Sequence, residues 1–276
     1  MLEIPLNTLT EHDPRCTVFN TCNKRLYHYT TIKTLASIFE NKTIRFTRLD
    51  KVNDPREAIS HEYSLAQTLV FASCWTNHRE ESIPLWKMYT DFSGVRLSLP
   101  TLMFSGRHNN HKVTNDDRLY EIIFDDFCKI ERDNGGLSMY TNRVLGPTRI
   151  RYIDNEELLP TNNVNLGTSK AKYDLRILGT QKLKQWEYEH EVRFRLLASA
   201  GYSFDENGEN WISPESFVNL PVKTEYVDVP LDNTILNEME ITLGPKCSRS
   251  EYALVESLCN HYAPNSKMNL SLIQIR

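Results

Sequence analysis

The sequence predicts a mixed α+β fold, a largely antiparallel sheet core with flanking helices, and three observations carry that prediction. Segments with strand patterning outnumber those with helical periodicity, and regular helical crossovers do not separate them. Neither Gly-x-Gly-x-x-Gly after a strand nor Gly-x-x-x-x-Gly-Lys-Ser/Thr occurs, so doubly wound dinucleotide and P-loop folds lose their main support. A chain of 276 residues that is 40% hydrophobic and 25% charged can build a sizeable core and does not resemble a disordered or fibrous chain.

The elements follow in chain order. Residues 1–23, rich in Thr, Asn and Pro without a sustained period, predict an N-terminal arm, and residues 24–276 a single α+β domain. Arg25–Thr30 reads as a short strand, and Ile32, Leu35, Ala36 and Phe39 then recur at helical spacing up to a stop at Asn41. Ile44–Thr47 alternate as a half-buried strand, and Asn53-Asp54-Pro55 forces a turn before an expected helical stretch from Pro55. Leu69–Thr76 is a continuous apolar run expected as a buried strand. Trp86 and Tyr89 lie three apart on a short helix, and Gly94 precedes a strand at Val95–Leu99. Residues 105–168 carry the weakest patterning, with a loop at Gly135-Gly136 and a strand over Arg149–Ile153, and could form an insertion.

From Ser169 a helix is expected, and Trp186–Leu197 (WEYEHEVRFRLL) then alternate with period two. Read as one strand, this places Glu187, Glu189, Glu191, Arg193 and Arg195 on one side and Tyr188, His190, Val192, Phe194 and Leu196 on the other. Met239–Leu243 reads as a strand broken by Gly244-Pro245. Ser248 and Glu251 form a capping-box pattern for a helix to about His261, and Asn269–Ile275 is the last expected strand.

Bulk properties exclude several function classes. Thirty-two basic and 36 acidic side chains leave a formal charge of −4, so no broad positive field draws the protein non-specifically to nucleic acid. The first residues lack the pattern of a secretory signal, and no run of about 18 apolar residues exists, so a soluble cytoplasmic protein without a membrane segment is expected. Cys16, Cys22, Cys74, Cys128, Cys247 and Cys259 are scattered without a Cys-x-x-Cys pair, which predicts reduced thiols and no structural zinc. His108-Asn109-Asn110-His111 has the look of a spaced metal pair but lies in a polar stretch without cysteine, and is read as a loop.

Three carboxylates on one strand face repel unless cations or a ligand lie opposite them. Two readings stand side by side: a solvated outer face laced with ion pairs, or a carboxylate pair, Glu189 and Glu191, that stabilises positive charge developing on a substrate. His28, in Tyr27-His28-Tyr29-Thr30, is either a packed strand histidine or one aimed into a cleft. Trp75, Trp86 and Tyr89 are economically core aromatics, with ring stacking on a ligand as the alternative. No Gly-x-Ser-x-Gly elbow supports serine hydrolase chemistry.

Leu26-Tyr27-His28-Tyr29, Arg45-Phe46, Asn53-Asp54-Pro55, Trp86-x-x-Tyr89, Gly94-Val95, Trp186-x-Tyr188-Glu189-x-Glu191-x-Arg193 and Leu243-Gly244-Pro245, in that order, resemble the bacterial domain-of-unknown-function family numbered 2971 over about residues 25 to 262. More loosely, the early His-x-Thr strand, the following helix and the late Glu-x-Glu are similar to the layout of ADP-ribosyltransferases, among them toxins that modify DNA. That resemblance implies that His28 contacts NAD, that Thr30 assists, and that Glu191 is catalytic with Glu189 beside it. It offers Tyr29, Trp75 and Tyr89 as the aromatics of the cofactor site. The chain departs from the superfamily in carrying Ser73-Cys74-Trp75-Thr76 where a Ser-Thr-Ser strand would stand. The implied activity is transfer of ADP-ribose from NAD to a nucleic-acid or protein acceptor in a toxin or defence setting. The alternatives are a non-catalytic binding or regulatory module, and a nuclease whose Asp54, Glu57, Glu189 and Glu191 collect a divalent metal.

Overall fold

A computed structural model describes residues 17–18, 25–61, 63–112, 118–131, 138–158, 164–166, 171–173, 176–198, 203–204 and 222–275. Its strands are β1 (Thr17–Val18), β2 (Arg25–Thr30), β3 (Thr43–Arg48), β4 (Val70–Thr76), β5 (Val95–Pro100), β6 (Arg107–Lys112), β7 (Arg118–Glu131), β8 (Ser138–Arg149) and β9 (Arg151–Ile153). They continue as β10 (Val164–Leu166), β11 (Ala171–Tyr173), β12 (Gln181–Leu183), β13 (Glu191–Leu197), β14 (Ser203–Phe204), β15 (Tyr226–Pro230), β16 (Glu240–Leu243) and β17 (Lys267–Leu270). The α-helices are α1 (Ile32–Asn41), α2 (Ile83–Thr90), the single turn α3 (Ile235–Glu238) and α4 (Arg249–Tyr262).

Thirteen strands form one sheet whose main path runs β17-β16-β5-β2-β4-β13-β8-β7-β6. Within it only β16 and β17 pair in parallel; the other pairings are antiparallel. The expected α+β class with a largely antiparallel sheet is therefore what the chain adopts. β6, β7 and β8 are three neighbouring strands of this same sheet.

Register decides which side chains share a face. Tyr27 pairs with Thr76, and Thr76 with Glu191. Directly opposed residues point the same way and neighbours alternate. One face therefore carries Tyr27, Tyr29, Cys74, Thr76, Glu191, Arg193 and Arg195, and the other His28, Thr30, Trp75, Val192, Phe194 and Leu196. The second face builds the main core, where Val192, Phe194 and Leu196 meet Leu26, Leu97 and Leu99 together with Leu35 and Phe39 of α1. On the first face α2 lays Leu85 and Trp86 over Tyr29.

The helices begin where their caps are. Thr31 accepts from the Thr34 amide to open α1, Ser82 does the same for α2 through the Leu85 amide, and Ser248 and Glu251 close the full capping box of α4. α1 ends at Asn41, as expected, and Lys42 caps it in the left-handed region.

Several sequence expectations are corrected. No helix follows Pro55: the Asp54 carboxylate takes the Arg56 amide and the Asp54 carbonyl the Glu57 amide, a local turn that outcompetes helix propagation, and only a 3₁₀ turn forms later, at Ala66–Leu69. The helix expected from Ser169 is replaced, among the described residues, by β11 paired with β10. The His108–His111 segment is strand, not loop, because β6 adds to the edge of β7. Arg149–Ile153 is split between the end of β8 and β9, and β17 ends at Leu270. The arm beyond Thr17–Val18, the Gly135-Gly136 loop, Cys16 and Cys22 lie outside the described residues.

Gly94 and Gly244 meet backbone to backbone, the Gly244 amide donating to the Gly94 carbonyl at 2.9 Å. A Cβ on Gly94 would stand 2.3 Å from the Thr30 carbonyl oxygen and 2.8 Å from Thr90. Backbone cannot yield as a flexible side chain can, so Gly94→Ala is expected to cost about 1–3 kcal/mol in urea unfolding, the range of overpacked sites. An unchanged midpoint would contradict this packing.

Candidate functional site

The segment before β13 is not strand. Lys184–Glu189 form a 3₁₀ turn that ends on His190 in the left-handed region (φ 44°), and the strand starts at Glu191. Period-two alternation therefore breaks at His190. This kink folds Glu189 back over the face that Glu191 occupies, so the two carboxylates converge on one partner that sequence reasoning missed, Lys182 of β12. The Lys182 Nζ lies 2.6 Å from Glu189, 2.9 Å from Glu191 and 3.1 Å from Glu57.

Arg193 completes the cluster. Its guanidinium clasps Glu191 through Nε and Nη2, contacts Glu57 through Nη1, and donates to the Gly179 carbonyl at 3.1 Å. Arg195 reaches the carbonyls of Arg176 and Leu178 at 2.5 and 2.6 Å, so the 176–180 segment is tied down on the charged face. These groups are sealed: Glu57 is 1% exposed, Glu191 4% and Arg193 0%. The reading of a solvated Glu/Arg face is thereby overturned. Three carboxylates against two cations leave the cluster one negative charge in excess.

The excess charge is unevenly held. Burial pushes the Glu191 carboxyl up, but Arg193 and then Lys182 outweigh it and bring it down to about 2. Burial, reinforced by the Glu191 charge, instead raises Glu189 above its ordinary value against Lys182 and Tyr89. Burial opposes the Lys182 ammonium, and its three carboxylates nonetheless keep it protonated well above the lysine range.

Glu189, as buried as Glu191 at 4% exposure, is linked to the surface through a tyrosine. Its Oε1 accepts from the Tyr89 hydroxyl at 2.7 Å, and Tyr89 is 37% exposed. The half-buried Trp186 ring lies 4.8 Å from Lys182 Nζ, and Tyr188, 6.2 Å from Trp186, reaches Met88 on α2. A partly open aromatic roof of Tyr89, Trp186 and Tyr188 thus covers a buried carboxylate. Tyr152 braces the floor by accepting the Glu191 amide at 2.8 Å, and burial raises its phenol.

Of the residues singled out from sequence, Glu189, Glu191 and Tyr89 come together, and Tyr29 shares their face with its hydroxyl on the Ser82 amide at 2.9 Å. His28, Thr30 and Trp75 do not join them, because register turns them to the opposite face. His28 packs at 5.1 Å from Trp75, and its Nδ1 bonds the Cys74 carbonyl at 2.9 Å. Burial lowers its pKa. Trp75 is buried and donates to the Ser73 hydroxyl. The shared pocket of His28 and Glu191 implied by the transferase resemblance is not formed. His28→Ala is accordingly expected to lower stability by about 1–3 kcal/mol, the penalty for a lost buried partner, and to leave any ligand affinity at Tyr89 and Glu189 unchanged. Parallel denaturation and ligand titration check both parts.

Glu57, Glu189 and Glu191 do gather as a metal-dependent nuclease would need, but the Lys182 ammonium occupies their centre. Among the described residues no group of three or more His, Cys, Asp or Glu side chains is placed to hold a metal ion. No helix among them is long and apolar enough to cross a membrane.

No family model, no curated protein and no solved structure matches this chain.

Proposed function

We propose that this protein cleaves the glycosidic bond of NAD and passes ADP-ribose to a macromolecular acceptor, with Glu189 in the role that the resemblance implied for Glu191. The observation that carries this reading is the position of Glu189: it alone of the clustered carboxylates pairs with a group that reaches the surface, Tyr89, under a half-open aromatic roof. A ring that displaces the Tyr89 hydroxyl and lies on Tyr89 or Trp186 brings the adjacent sugar carbon to Glu189 Oε1. Glu191 is already saturated by Arg193 and Lys182 and fits better as the anchor that holds the cluster in place.

The chemistry asks little of a protein nucleophile. The C1′–N bond breaks with its electron pair leaving on nicotinamide, which becomes neutral. An acceptor lone pair forms the new bond at C1′, and the acceptor proton passes to solvent. A fixed carboxylate close to the developing ribosyl cation lowers the barrier, and contacts of this kind contribute roughly 10²–10³ in rate.

A second reading, a non-catalytic binding or regulatory module, draws on the saturation of the cluster, since every carboxylate in it already has a cation. The two separate on one experiment: radiolabelled NAD with total protein or nucleic acid, comparing wild type, Glu189→Gln and His28→Ala. Transfer by wild type and His28→Ala with a loss of about 10²–10³ in Glu189→Gln supports the enzyme. Equal labelling by wild type and Glu189→Gln, or none at all, removes it and leaves the binding module.

A further inference from the structure

The same sheet face carries a second group of charges, three strands from Glu191 along the path β5-β2-β4-β13. Arg96 pairs with Tyr29 and Ser98 with Tyr27, so both point to the Glu191 face. Arg96 is only 7% exposed. Its guanidinium stacks 3.9 Å from the Tyr27 ring centroid, and its Nη2 donates to the main-chain carbonyls of His78 and Arg79. Its Nε is buried without a partner. Arg25 lies on the other side of Tyr27, with Nε on the Ser98 hydroxyl at 2.7 Å and Nη2 on the carbonyls of Ser98 and Glu238. Arg79 is exposed, and its main-chain carbonyl is one of those that Arg96 reaches.

None of these three guanidiniums forms an ion pair among the described residues. The nearby carboxylates are engaged elsewhere. Glu81 takes the Trp86 indole, the Ser271 hydroxyl and the Leu272 amide, Glu80 faces His78, and Glu240, opposite Ser98 on the next strand, turns to Lys267. In a chain of net charge −4, a nearly buried arginine held by neutral carbonyls and tyrosine rings, with its Nε unpartnered, is an exception to the rule that buried charges are paired. Carbonyls fix the orientation of a guanidinium without neutralising it, and a stacked, preoriented fork is the group that recognises phosphate.

We infer that Arg96, with Arg25 and Arg79 at its rim, binds the pyrophosphate of a nucleoside diphosphate. This rests in part on the glycosyl-transfer reading, which needs a dinucleotide. Arg96 leans over β2, two strand spacings, roughly 10 Å, from β13.

Calorimetric titration of the full chain with inorganic pyrophosphate, ADP and adenosine tests the site without any glycosidic bond present. Pyrophosphate and ADP should bind, adenosine far more weakly. Arg96→Gln should abolish ADP binding, and Arg79→Gln, an exposed change that spares the fold, should weaken it about tenfold, as loss of one charge-assisted contact does. ADP binding no tighter than adenosine, or ADP binding untouched by Arg79→Gln and by a folded Arg96→Gln, overturns the inference. Arginine-dependent ADP binding without any ADP-ribose transfer keeps this site and removes the transferase. Transfer that is indifferent to both arginines does the reverse.

Discussion

Lys182→Met is expected to destabilise the fold by about 3–5 kcal/mol at pH 7, the cost of stripping one partner from a buried ion network. The reason is the count of charges. With the ammonium gone, Glu57, Glu189 and Glu191 share Arg193 as the one remaining cation of the cluster, in a site where Glu57 is 1% exposed. Such carboxylates resist ionisation, so their pKa values rise on folding and the variant prefers to fold with protons bound. A group whose folded pKa is raised contributes stability that is present below its unfolded value and lost as pH rises. The deficit should therefore be largest at neutral pH and shrink as pH falls through the carboxylate range. Urea unfolding of wild type and variant at pH 7 and pH 4.5 measures the gap. A gap that is small at pH 7, or that widens in acid, would show that Lys182 does not hold the cluster together.

How far the sequence revealed this arrangement depends on the distance over which each signal acts. β2, α1, β3, β4, β5 and α4 were legible because alternation, helical spacing and caps are local patterns, and the structure keeps them within a residue or two. The broad class followed from the order of those elements. The face pairing of Glu191, Arg193 and Arg195 was also readable, but its environment was not. The same five-residue alternation fits a wet edge strand or a sealed central one, and β13 is central only because β4 and β8 flank it. His190 misled the strand boundary, since a non-glycine residue in the left-handed region leaves no trace in a polar-apolar pattern. Lys182 left no signal at all: it lies in a three-residue strand, Gln181-Lys182-Leu183, whose role is set by contacts with Glu57, 125 positions earlier in the chain. His28 was misplaced for a related reason, because one register position separates the charged face from the core face.

Glu191→Gln is the complementary test, and its pH dependence has the opposite sign. Arg193 and Lys182 depress the Glu191 carboxyl from its ordinary value of 4.5 to about 2. A depressed carboxylate contributes stability that is fully present above its unfolded value and is lost as pH falls through its folded value. The contribution should thus stand at neutral pH, begin to fade below about 4.5 and be gone near 2. Gln preserves the shape but not the charge, and it leaves Arg193 and Lys182 buried with fewer counter-charges, at a cost of about 3–5 kcal/mol at pH 7. Wild type and Glu191→Gln should converge as the pH is lowered from 5 to 2, whereas wild type and Lys182→Met converge because the variant gains. Following both variants by denaturant unfolding against pH distinguishes a carboxylate stabilised by its cations from one merely tolerated. If Glu191→Gln is as stable as wild type at pH 7, the Arg193 and Lys182 pairing contributes nothing, and Glu191 is released from its anchoring role to compete with Glu189 for the catalytic one.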